Sequence, residues 1–562
     1  MIWEYLKVEM QSEFHAGAKC SYDGPETARL VCSAIPYVNN TSIHFGNLIG
    51  SVLSADIYAR YWRQRSAKVL FLGGGDCYGA ASMISAYKEK IDPKELCERN
   101  LQNLKNIFIG FNISTDVFSS TMNPHHARIV DQIFKRLYAG GYVEIKEIEQ
   151  LYSDSMKMFL PDRFIVGICP GCDFADAHGD QCDGCGAVLD PLELKNPRCS
   201  IDGSIPVIKK TKHYYLNLES VRSQLVAWME ESKPFWSANT YAVTKSFLDK
   251  PIKPRCITRD LSWGVPVDPV YVERDLNPTD SKTFYVWFEA VLCYLDFIAD
   301  GGHDIEQFWC APNVEIAQFF GKDNIFFHTI LLPGILLAAS NGKVKYNLAK
   351  HISATEYLQY EGAKFSKSRN YGIFCADVLS PEMLKDIPVD IWRYYLLSVR
   401  PESADANFSW NDFSSKVDEL ADTVGNLVHR VLTFRHKNYS DVGVDSNYKV
   451  QSLLDNYNRA MEKCEYRSAI RVIHEIAAEG NRLIQSEKIW ELSKTNPVKC
   501  MQIIGKLLAI IKTLAWCLKP FTPDLATTIE KYVDNSSVKP EVLIRKVTPE
   551  KLAEYKKRFG TK

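Results

Sequence analysis

The fold is decided by residues 34–47, which read Ala-Ile-Pro-Tyr-Val-Asn-Asn-Thr-Ser-Ile-His-Phe-Gly-Asn. An apolar run at residues 30–35 leads into this stretch and is typical of a buried strand. Residues 48–65 follow it with a helical period. One helix face is apolar, with Ile49, Leu53, Ile57 and Tyr61, and another is polar, with Asp56, Arg60 and Arg63. The stretch therefore predicts a strand, a turn and a helix, with His44 and Asn47 where the helix begins.

This turn could hold a nucleotide, because free backbone N–H groups and the helix dipole attract anions at a helix N-terminus. A histidine and an amide at that position suit a polyphosphate. Gly46 would let a flat adenine ring approach the backbone closely. A histidine that only caps the helix fits the same residues. The stretch alone therefore indicates a nucleotide site without deciding it.

A second, cationic stretch at residues 364–370 reads Lys-Phe-Ser-Lys-Ser-Arg-Asn. Its lysines, arginine and hydroxyl groups suit a loop that binds phosphates. In this order the two stretches resemble the His-Ile-Gly-His and Lys-Met-Ser-Lys-Ser signatures of the class I aminoacyl-tRNA synthetases. Within the class, the chain resembles the methionyl-tRNA synthetases of the eukaryotic type, in which the first signature often ends in Asn. Phe45 and Phe365 depart from the signatures only at apolar positions.

The totals are those of an ordinary globular protein: 562 residues, 46% apolar and 24% charged, with a net charge of −1. This length suffices for three or four domains. The N-terminus has the features of neither a secretory signal nor a transit peptide, and no run approaches the ~18 apolar residues that span a bilayer. Most of the sixteen cysteines are scattered singly, as in a reducing cytosol. We therefore expect a cytoplasmic protein with no membrane partner.

A second strand is predicted at residues 68–72, and it runs into Gly73-Gly74-Gly75 and Asp76. A strand, a glycine turn and an acid fit a site at the carboxyl end of a parallel sheet, although a plain tight turn fits as well. The resemblance makes Asp76 the carboxylate that pairs with the ammonium group of a bound amino acid. A cationic group in a partly dry cleft needs such a partner.

Four cysteines give the strongest local signal in the chain. Cys169 and Cys172 form one Cys-x-x-Cys pair, and Cys182 and Cys185 form a second. Two matched pairs on glycine turns let four thiolates surround Zn²⁺ tetrahedrally, and they argue against a redox pair. Four sulfur ligands leave no open position, so we predict a structural Zn²⁺. Cys199 lies outside this spacing and is expected to be an ordinary thiol.

The predicted fold class is α/β, with a Rossmann-type nucleotide-binding catalytic domain, a zinc-bearing connective insertion and a C-terminal α-helical bundle. Further strands are predicted at residues 284–290 and 314–320, and helical periods dominate after Trp410. The predicted division is an N-terminal segment of unknown role (1–28), the first Rossmann half (29–123), the insertion (124–283), the second Rossmann half (284–349), a stem-contact segment with the cationic loop (350–408) and a helical anticodon-binding domain (409–562).

The resemblance also implies roles for individual residues. The implied catalytic residues are His44, Asn47, Lys364 and Lys367, and the implied ATP-binding residues are His44, Gly46, Asn47, Lys364, Ser366 and Lys367. The implied methionine-binding residues are Ile35, Tyr37, Asp76, Trp287, Ala290, Val291, Tyr294, Phe327 and His328. Asn426 and Arg430 on one helix face, with Trp490 at the end of a long helix, match positions that hold the anticodon.

The implied reaction joins L-methionine to ATP as methionyl-adenylate and then transfers it to the 3′ end of tRNA(Met). Mg²⁺ is expected to accompany ATP. Aromatic side chains suit a thioether, because sulfur–aromatic contacts add ~0.3–1.5 kcal/mol. The span between the two signatures leaves no room for a full editing domain, which disfavours leucine, isoleucine and valine as substrates. The chain carries no appended dimerising module after the bundle, so we expect a monomer.

Three alternatives remain open. A cysteinyl-tRNA synthetase would need an open zinc position for the substrate thiol, whereas four cysteines saturate the metal. A non-catalytic tRNA-binding or zinc-ribbon protein would be expected to have lost some of His44, Asp76 and Lys367. A nucleotidyltransferase that makes a dinucleotide cofactor shares a similar turn but has little use for the helical bundle.

Overall fold

The computed structural model of the protein describes residues 27–179, 182, 184–185, 187, 189–276, 282–365 and 371–560. Most of the predicted N-terminal segment lies outside these residues. The strands in chain order are β1 (Ala28–Ser33), β2 (Val69–Gly75), β3 (Val117–Ser120), β4 (Val143–Ser153), β5 (Met158–Phe159), β6 (Ile165–Ile168), β7 (Ala177–His178), β8 (Lys195–Cys199), β9 (Val207–Leu216), β10 (Arg255–Cys256), β11 (Thr258–Arg259), β12 (Thr283–Phe284), β13 (Val314–Gly321), β14 (His351–Thr355), β15 (Leu358–Tyr360) and β16 (Ala406–Phe408).

A parallel five-stranded sheet has the strand order β14-β13-β1-β2-β3. Every residue of β1 and β14 is buried, as expected for a parallel sheet that helices cover on both faces. Leu30 of β1 lies opposite Ile316 of β13 and Leu70 of β2. The strand order therefore reverses at β1, and ligands bind at such a switch point, beyond the carboxyl ends of the strands. The predicted strands at residues 30–35, 68–72 and 314–320 are confirmed within two or three residues of each end.

Helices connect these strands. They are Leu53–Gln64, Ala80–Glu89, Pro93–Gly110, His126–Ala139, Val286–Ala290, Cys293–Asp300, Ile305–Trp309 and Leu332–Ala339. Wider π-helical turns at Leu48–Val52 and Phe327–Leu331 directly follow or contain predicted site residues. Such turns are frequent at functional sites.

The insertion between β3 and β13 is built mainly of antiparallel strands. One sheet has the order β10-β9-β4-β5 and a smaller one the order β7-β6-β8, which carries the cysteine cluster. Two helices, Arg222–Ser232 and Ala238–Leu248, follow β9. The indole of Trp228 donates to the carbonyl of Ala349 at 3.0 Å, so this part of the insertion is attached to the main sheet just before β14.

The C-terminal third is helical, as predicted. The helices are Cys375–Val378, Pro381–Asp386, Val389–Ser398, Trp410–Leu420, Asn426–Asn438, Gln451–Glu462, Tyr466–Glu487, Ile489–Thr495, Pro497–Leu518, Pro523–Asp534 and Pro549–Phe559. The helix Pro497–Leu518 is long and apolar enough to cross a membrane, with a mean hydropathy of 1.5, but 67% of its most apolar window is buried. This corrects the expectation that no such run occurs, and packing against neighbouring helices accounts for its apolar character.

Two buried arginines join the bundle to the nucleotide-binding sheet. Arg393 donates to Asp56 Oδ2 at 2.6 Å and to the carbonyl of Phe521 at 3.0 Å. Arg400 donates to Ser54 Oγ at 2.8 Å and to the carbonyl of Cys464 at 3.0 Å. Each guanidinium thus links the helix that follows the first signature to the helical bundle. Asp56 and Arg60 of the predicted polar face form an ion pair at 2.9 Å, and Asp56 is fully buried where it also pairs with Arg393.

Two predictions of local structure are also wrong. Residues 284–290 were expected to form one strand, but β12 ends at Phe284 and a helix covers Val286–Ala290. A short apolar run fits either state, and its periodicity cannot separate them. Trp490 was expected to end a long helix, but Lys488 adopts a left-handed conformation (φ 44°) and Trp490 lies in the next helix, Ile489–Thr495.

Candidate active site

A cavity of about 360 Å³ opens at the switch point of the sheet. The loops after β1, β13 and β14 line it, and its residues include His44, Gly46, Asn47, Lys364 and Phe365. The structure thus brings together residues of the two signatures that lie far apart in the chain. Ser366 and Lys367, also predicted here, lie outside the described residues.

His44 caps the short helix Phe45–Asn47 and is fixed there by Asn47. Its Nδ1 accepts a hydrogen bond from the Asn47 amide at 3.3 Å, and Asn47 Oδ1 accepts one from the His44 amide at 3.4 Å. Burial lowers the pKa of His44 to about 4, so the imidazole is neutral near pH 7 and carries its proton on Nε2. His44 therefore offers one neutral N–H donor at the cavity wall.

The ring of His44 is held between two tight neighbours. It stacks on the ring of Phe365, with centroids 4.7 Å apart and planes at 6°. A Cβ atom at Gly46 would lie 2.9 Å from His44 Cε1, so a side chain at this position would collide with the ring. Phe365 therefore supports the histidine, although it replaces the methionine of the family signature.

Lys364 and its surroundings carry most of the charge near the cavity. The Lys364 ammonium lies 5.6 Å from the ring centre of Tyr357, whose hydroxyl hydrogen-bonds Asp323. Lys322 forms ion pairs with Glu356 at 2.6 Å and with Asp405 at 2.9 Å. Lys322 is thus already neutralised, whereas no ion pair is formed by Lys364 within the described residues.

A second cavity has a wall of aromatic side chains and is called here the aromatic slot. Ile35 and Pro36 line the first cavity, and Tyr37 lines a second one of about 920 Å³ together with Trp287. The rings of Tyr37 and Trp287 meet edge to face at 5.7 Å, and Trp287 stacks on Phe327 at 4.0 Å. Stacked and edge-to-face rings make a rigid apolar wall.

Tyr294 and His328 form a buried hydrogen-bonded pair and line neither cavity. His328 Nδ1 lies 3.0 Å from the carbonyl of Asn324 and therefore donates to it, which leaves Nε2 to accept from the Tyr294 hydroxyl at 2.9 Å. Burial lowers the pKa of His328 to about 4 and keeps the ring neutral. Ala290 and Val291 are also buried, at the end of the preceding helix, Val286–Ala290.

Asp76 lies at the end of β2, beside the first residues after β1. The Asp76 amide donates to the carbonyl of Pro36, and the Val38 amide donates to the carbonyl of Asp76, both at 2.9 Å. The side chain is only 3% exposed. Burial, and then the nearby carboxylate of Glu289, raise the pKa of Asp76 well above its usual value.

Three charged residues beneath Asp76 were missed by the sequence analysis. His126 lies between two carboxylates, with Nε2 2.6 Å from Glu289 Oε2 and Nδ1 2.8 Å from Asp296 Oδ1. These carboxylates raise the pKa of His126 to about 10 against the opposing effect of burial. No local sequence pattern predicts this cluster, because His126 is far from both carboxylates in the sequence.

The segment Arg259 to Gly264 contributes Arg259, Leu261 and Trp263 to the lining of the second cavity. The Trp263 indole donates to the carbonyl of Cys77 at 2.8 Å. The Arg259 guanidinium lies 4.0 Å from the ring centre of Tyr285. The segment thus connects the insertion to the residues on either side of the aromatic slot.

The four predicted zinc ligands come together in the insertion. The sulfur atoms of Cys169, Cys172, Cys182 and Cys185 all lie within 4.8 Å of one another. Two of the separations are 3.9 Å (Cys169 to Cys185) and 3.6 Å (Cys172 to Cys182). A tetrahedral site with Zn–S bonds of ~2.3 Å has sulfur atoms about 3.8 Å apart. The cluster therefore fits a four-coordinate Zn²⁺, and Cys199 is not part of it.

The three predicted anticodon residues lie on one surface of the bundle. Asn426 and Arg430 share the helix Asn426–Asn438. The Arg430 guanidinium lies 5.4 Å from the ring centre of Trp490, which is 39% exposed. Phe434 supports that ring edge to face at 4.7 Å. An exposed indole beside a guanidinium is a suitable platform for an unstacked base.

Comparisons with known proteins agree on one family. The family model described as "tRNA synthetases class I (M)" matches residues 29–432, and that described as "Anticodon binding domain of methionyl tRNA ligase" matches residues 438–539. A probable cytoplasmic methionine–tRNA ligase of Dictyostelium discoideum is 40% identical over 90% of this chain and 69% of its own length. The cytoplasmic methionine–tRNA ligase of Saccharomyces cerevisiae is 36% identical over 94% and 73%.

Solved structures share the fold. The methionyl-tRNA synthetase of Mycobacterium tuberculosis, bound by methionyl-adenylate, is 19% identical and has a TM-score of 0.72, covering 92% of this chain and 100% of that one. A second structure of a Mycobacterium tuberculosis methionyl-tRNA synthetase, in complex with methionyl-adenylate, is 21% identical, with a TM-score of 0.68 over 90% and 93%. These likenesses extend over the sheet, the insertion and the bundle together.

Proposed function

Because the chain belongs to the class I methionyl-tRNA synthetases, we propose that it activates L-methionine with ATP and transfers it to the 3′ end of tRNA(Met). One observation carries the proposal: His44, Gly46 and Asn47 of the first signature line the same cavity as Lys364 of the second. The residues that connect this cavity to the aromatic slot, Ile35 to Tyr37, are contiguous in the chain.

The first step needs no nucleophilic side chain. The carboxylate of methionine attacks the α-phosphate of ATP, and pyrophosphate leaves. The neutral N–H of His44 and the side-chain Nδ2–H of Asn47 would hydrogen-bond the phosphates, while Lys364 and Lys367 would neutralise the departing pyrophosphate. Gly46 and Ser366 complete the proposed ATP site, and Mg²⁺ would enter with ATP.

Methionine is proposed to lie in the aromatic slot, with its ammonium group at Asp76. Tyr37, Trp287 and Phe327 supply rings for the thioether. Tyr294 and His328, fixed to each other by a hydrogen bond, are proposed to contact methionine as well. Ile35, Ala290 and Val291 are the remaining proposed contacts. In the second step the ribose hydroxyl at the 3′ end of tRNA takes the methionyl group, with AMP as the leaving group.

The remaining residue roles are proposed on the same basis, the membership of the chain in this family. We propose that Cys169, Cys172, Cys182 and Cys185 hold a structural Zn²⁺, that Asn426, Arg430 and Trp490 contact the anticodon, and that the protein works in the cytoplasm as a monomer. The six-part division of the chain given above is retained as a proposal.

Amino-acid-dependent exchange of pyrophosphate into ATP tests the reaction. Methionine should support exchange far better than the other amino acids, including cysteine, because a saturated zinc cannot bind a substrate thiol. Faster exchange with cysteine would contradict the assignment. The variant His44→Ala should lose ~2.7–4 kcal/mol of transition-state stabilisation, or about a hundred- to thousand-fold in rate. The variant His436→Ala, in the helical bundle and outside both cavities, is a matched control that should keep its rate.

A further inference from the structure

Buried charges around Asp76, where the substrate ammonium group is proposed to bind, do not balance one another. Glu289 is fully buried and accepts from His126 through Oε2, while its Oε1 makes no hydrogen bond to any described residue. Asp76 is buried as well, and the Tyr78 amide approaches its Oδ1 at 3.3 Å. Neither carboxylate is accessible enough for water to solvate its charge. A buried carboxylate without a partner is costly unless it takes up a proton or a cation.

His126 cannot balance this cluster by itself. Its two ring nitrogens already face Glu289 and Asp296, and both must donate, so the ring is an imidazolium. The single positive charge of His126 therefore has three carboxylates to balance, those of Glu289, Asp296 and Asp76. The side-chain amide of Asn123 also donates to Asp296 but brings no charge. One further positive charge is needed before all three carboxylates can be ionised together.

The titratable groups that face the pair come from every surrounding element. They are Tyr37 after β1, Cys77 and Tyr78 after β2, Cys97 of the helix Pro93–Gly110, His126 of the helix His126–Ala139, and Cys293, Tyr294 and Asp296 of the helix Cys293–Asp300. Among these described groups, His126 alone is a cation. Burial raises the pKa of both carboxylates, but His126 opposes the rise at Glu289 more directly, through a hydrogen bond.

We propose that Glu289 is a positioning residue that keeps a proton on Asp76 in the free enzyme, and that the ammonium group of methionine displaces this proton on binding. The proposal rests on the function proposed above. The neutral carboxyl group of Asp76 and the substrate ammonium become a carboxylate–ammonium ion pair, and one proton passes to the buffer. Glu289 stays ionised against His126 throughout, and no other bond changes.

The arrangement makes the amine a condition of tight binding. A ligand without an amine cannot ionise Asp76 and leaves the proton in place. Methionine binding should also depend on pH. Since Asp76 must lose its proton, affinity should rise with pH, by up to tenfold per pH unit, until the free enzyme itself ionises Asp76. Removing the charge of Glu289 should move that limit to lower pH.

Titration calorimetry in two buffers of different ionisation enthalpy counts the released protons. With L-methionine at pH 7, the wild-type protein should release close to one proton, and Glu289→Gln should release close to none. The variant Asp275→Asn removes a carboxylate that accepts from Tyr138 and Tyr214 in and near the insertion, and should release as much as wild type. 4-(Methylthio)butanoate, which lacks the amine, should bind wild type without proton release.

The wild-type protein alone provides a second test, should Glu289→Gln fail to fold. An infrared difference spectrum should lose the band of one protonated carboxyl group when methionine binds, and should keep it with the deaminated analogue. Proton release near zero from wild type, an unchanged infrared band, or equal release from wild type and Glu289→Gln would each overturn the inference. Exchange activity with methionine but without proton release would leave the proposed function intact, whereas a protein without methionine-dependent exchange would lose both.

Discussion

At the scale of single residues, the site depends on hydrogen bonds that fix neutral rings. His44 and His328 are both buried enough to stay uncharged, and each has one nitrogen committed to a partner that sets its tautomer. A neutral ring with a defined donor and acceptor can contact phosphate or thioether without adding charge to a dry cleft.

Removing the hydroxyl of Tyr294 tests its proposed role in methionine binding. The variant Tyr294→Phe leaves His328 Nε2 without its donor, which should cost about 1–3 kcal/mol. We expect KM for methionine to rise about 5- to 150-fold while KM for ATP is unchanged, as measured by pyrophosphate exchange. The variant Tyr138→Phe, which removes a hydroxyl bound to Asp275 in the insertion, is the matched control. Equal effects of both variants would contradict a specific role for Tyr294.

The ion pair between Asp56 and Arg393 gives a prediction about acid stability. Burial opposes the charge on Asp56, but Arg60, Arg393 and Ser114 outweigh it and lower the pKa to about 2. A depressed pKa stabilises the fold above the unfolded value near 4, and this stability is lost as pH falls from about 4 to about 2, for a total of about 2 kcal/mol. The free energy of unfolding in urea should therefore differ less between wild type and Asp56→Asn at pH 3 than at pH 6.

The exposed residue Glu98 supplies the control for this measurement. It pairs only loosely with Lys94, at 3.8 Å on the surface. The difference between wild type and Glu98→Gln should be small at both pH values. A difference for Asp56→Asn that stays constant from pH 6 to pH 3 would show that the ion pair does not contribute in this way.

Functional and buried charged residues are predictable from sequence only where they belong to a short local motif. His44, Asn47 and Lys364 belong to short motifs, so their placement at one cavity could be anticipated. His126 and Glu289 belong to no motif and meet only because two distant helices pack together. The sequence predicts only that Asp56 shares a polar helix face, and the fold is needed to show that Arg393, far along the chain, forms a buried ion pair with it.

At the scale of elements, the four-cysteine knuckle of the insertion has a small hydrophobic core of its own. Two of its cysteines are buried and two are exposed, and their order in the chain alternates between these states. Backbone amides support the sulfur atoms, as with the Gly171 amide 3.4 Å from Cys169 Sγ. The small sheet β7-β6-β8 has a core of only a few residues, so the metal would supply much of its stability.

Loss of one ligand should therefore unfold the knuckle locally. The variant Cys172→Ser should contain close to no zinc by elemental analysis, where wild type contains about one ion per chain. Limited proteolysis should then cut between residues 165 and 200 while the parallel sheet stays intact. The variant Cys199→Ser, outside the cluster, should keep both its zinc and its resistance. Full zinc content in Cys172→Ser would exclude this ligand set.

Elements were predictable where their pattern was long or strictly periodic. The central strands and the helix His126–Ala139 follow directly from the apolar pattern. Residues 284–290 did not, because five apolar or aromatic residues in a short run suit a strand as well as a buried helix. The packing that stacks Trp287 on Phe327 selects the helix, and this packing is invisible in the local sequence.

At the scale of the whole molecule, the two proposed recognition sites belong to different parts of the chain. The active site belongs to the parallel sheet, and the Arg430–Trp490 surface belongs to the bundle. Among the described residues, those that line the two cavities of the sheet all precede residue 366, and Trp490 is not one of them. A change at Trp490 should therefore separate tRNA binding from chemistry.

The variant Trp490→Ala removes the proposed stacking platform. We expect KM for tRNA in the charging reaction to rise about 5- to 150-fold, since base–aromatic stacking contributes ~1–3 kcal/mol. Pyrophosphate exchange should be unchanged. The variant Met501→Ala, also exposed on the bundle, should alter neither measurement. Equal loss of charging and exchange in Trp490→Ala would contradict an anticodon role.

The contacts of the Arg400 guanidinium predict how a truncated form of the protein would behave. It reaches Ser54 and Ser353 on the catalytic side and the carbonyl of Cys464 on the other, while the Tyr466 hydroxyl donates to the carbonyl of Ser54 at 2.9 Å. A gene truncated after residue 408 would deprive Arg400 of Cys464 and expose the apolar seam around it to water. Such a fragment should be poorly soluble and catalytically weak, although it would contain every residue of both cavities. We therefore expect the bundle to support the nucleotide fold structurally, in addition to its proposed role in anticodon binding.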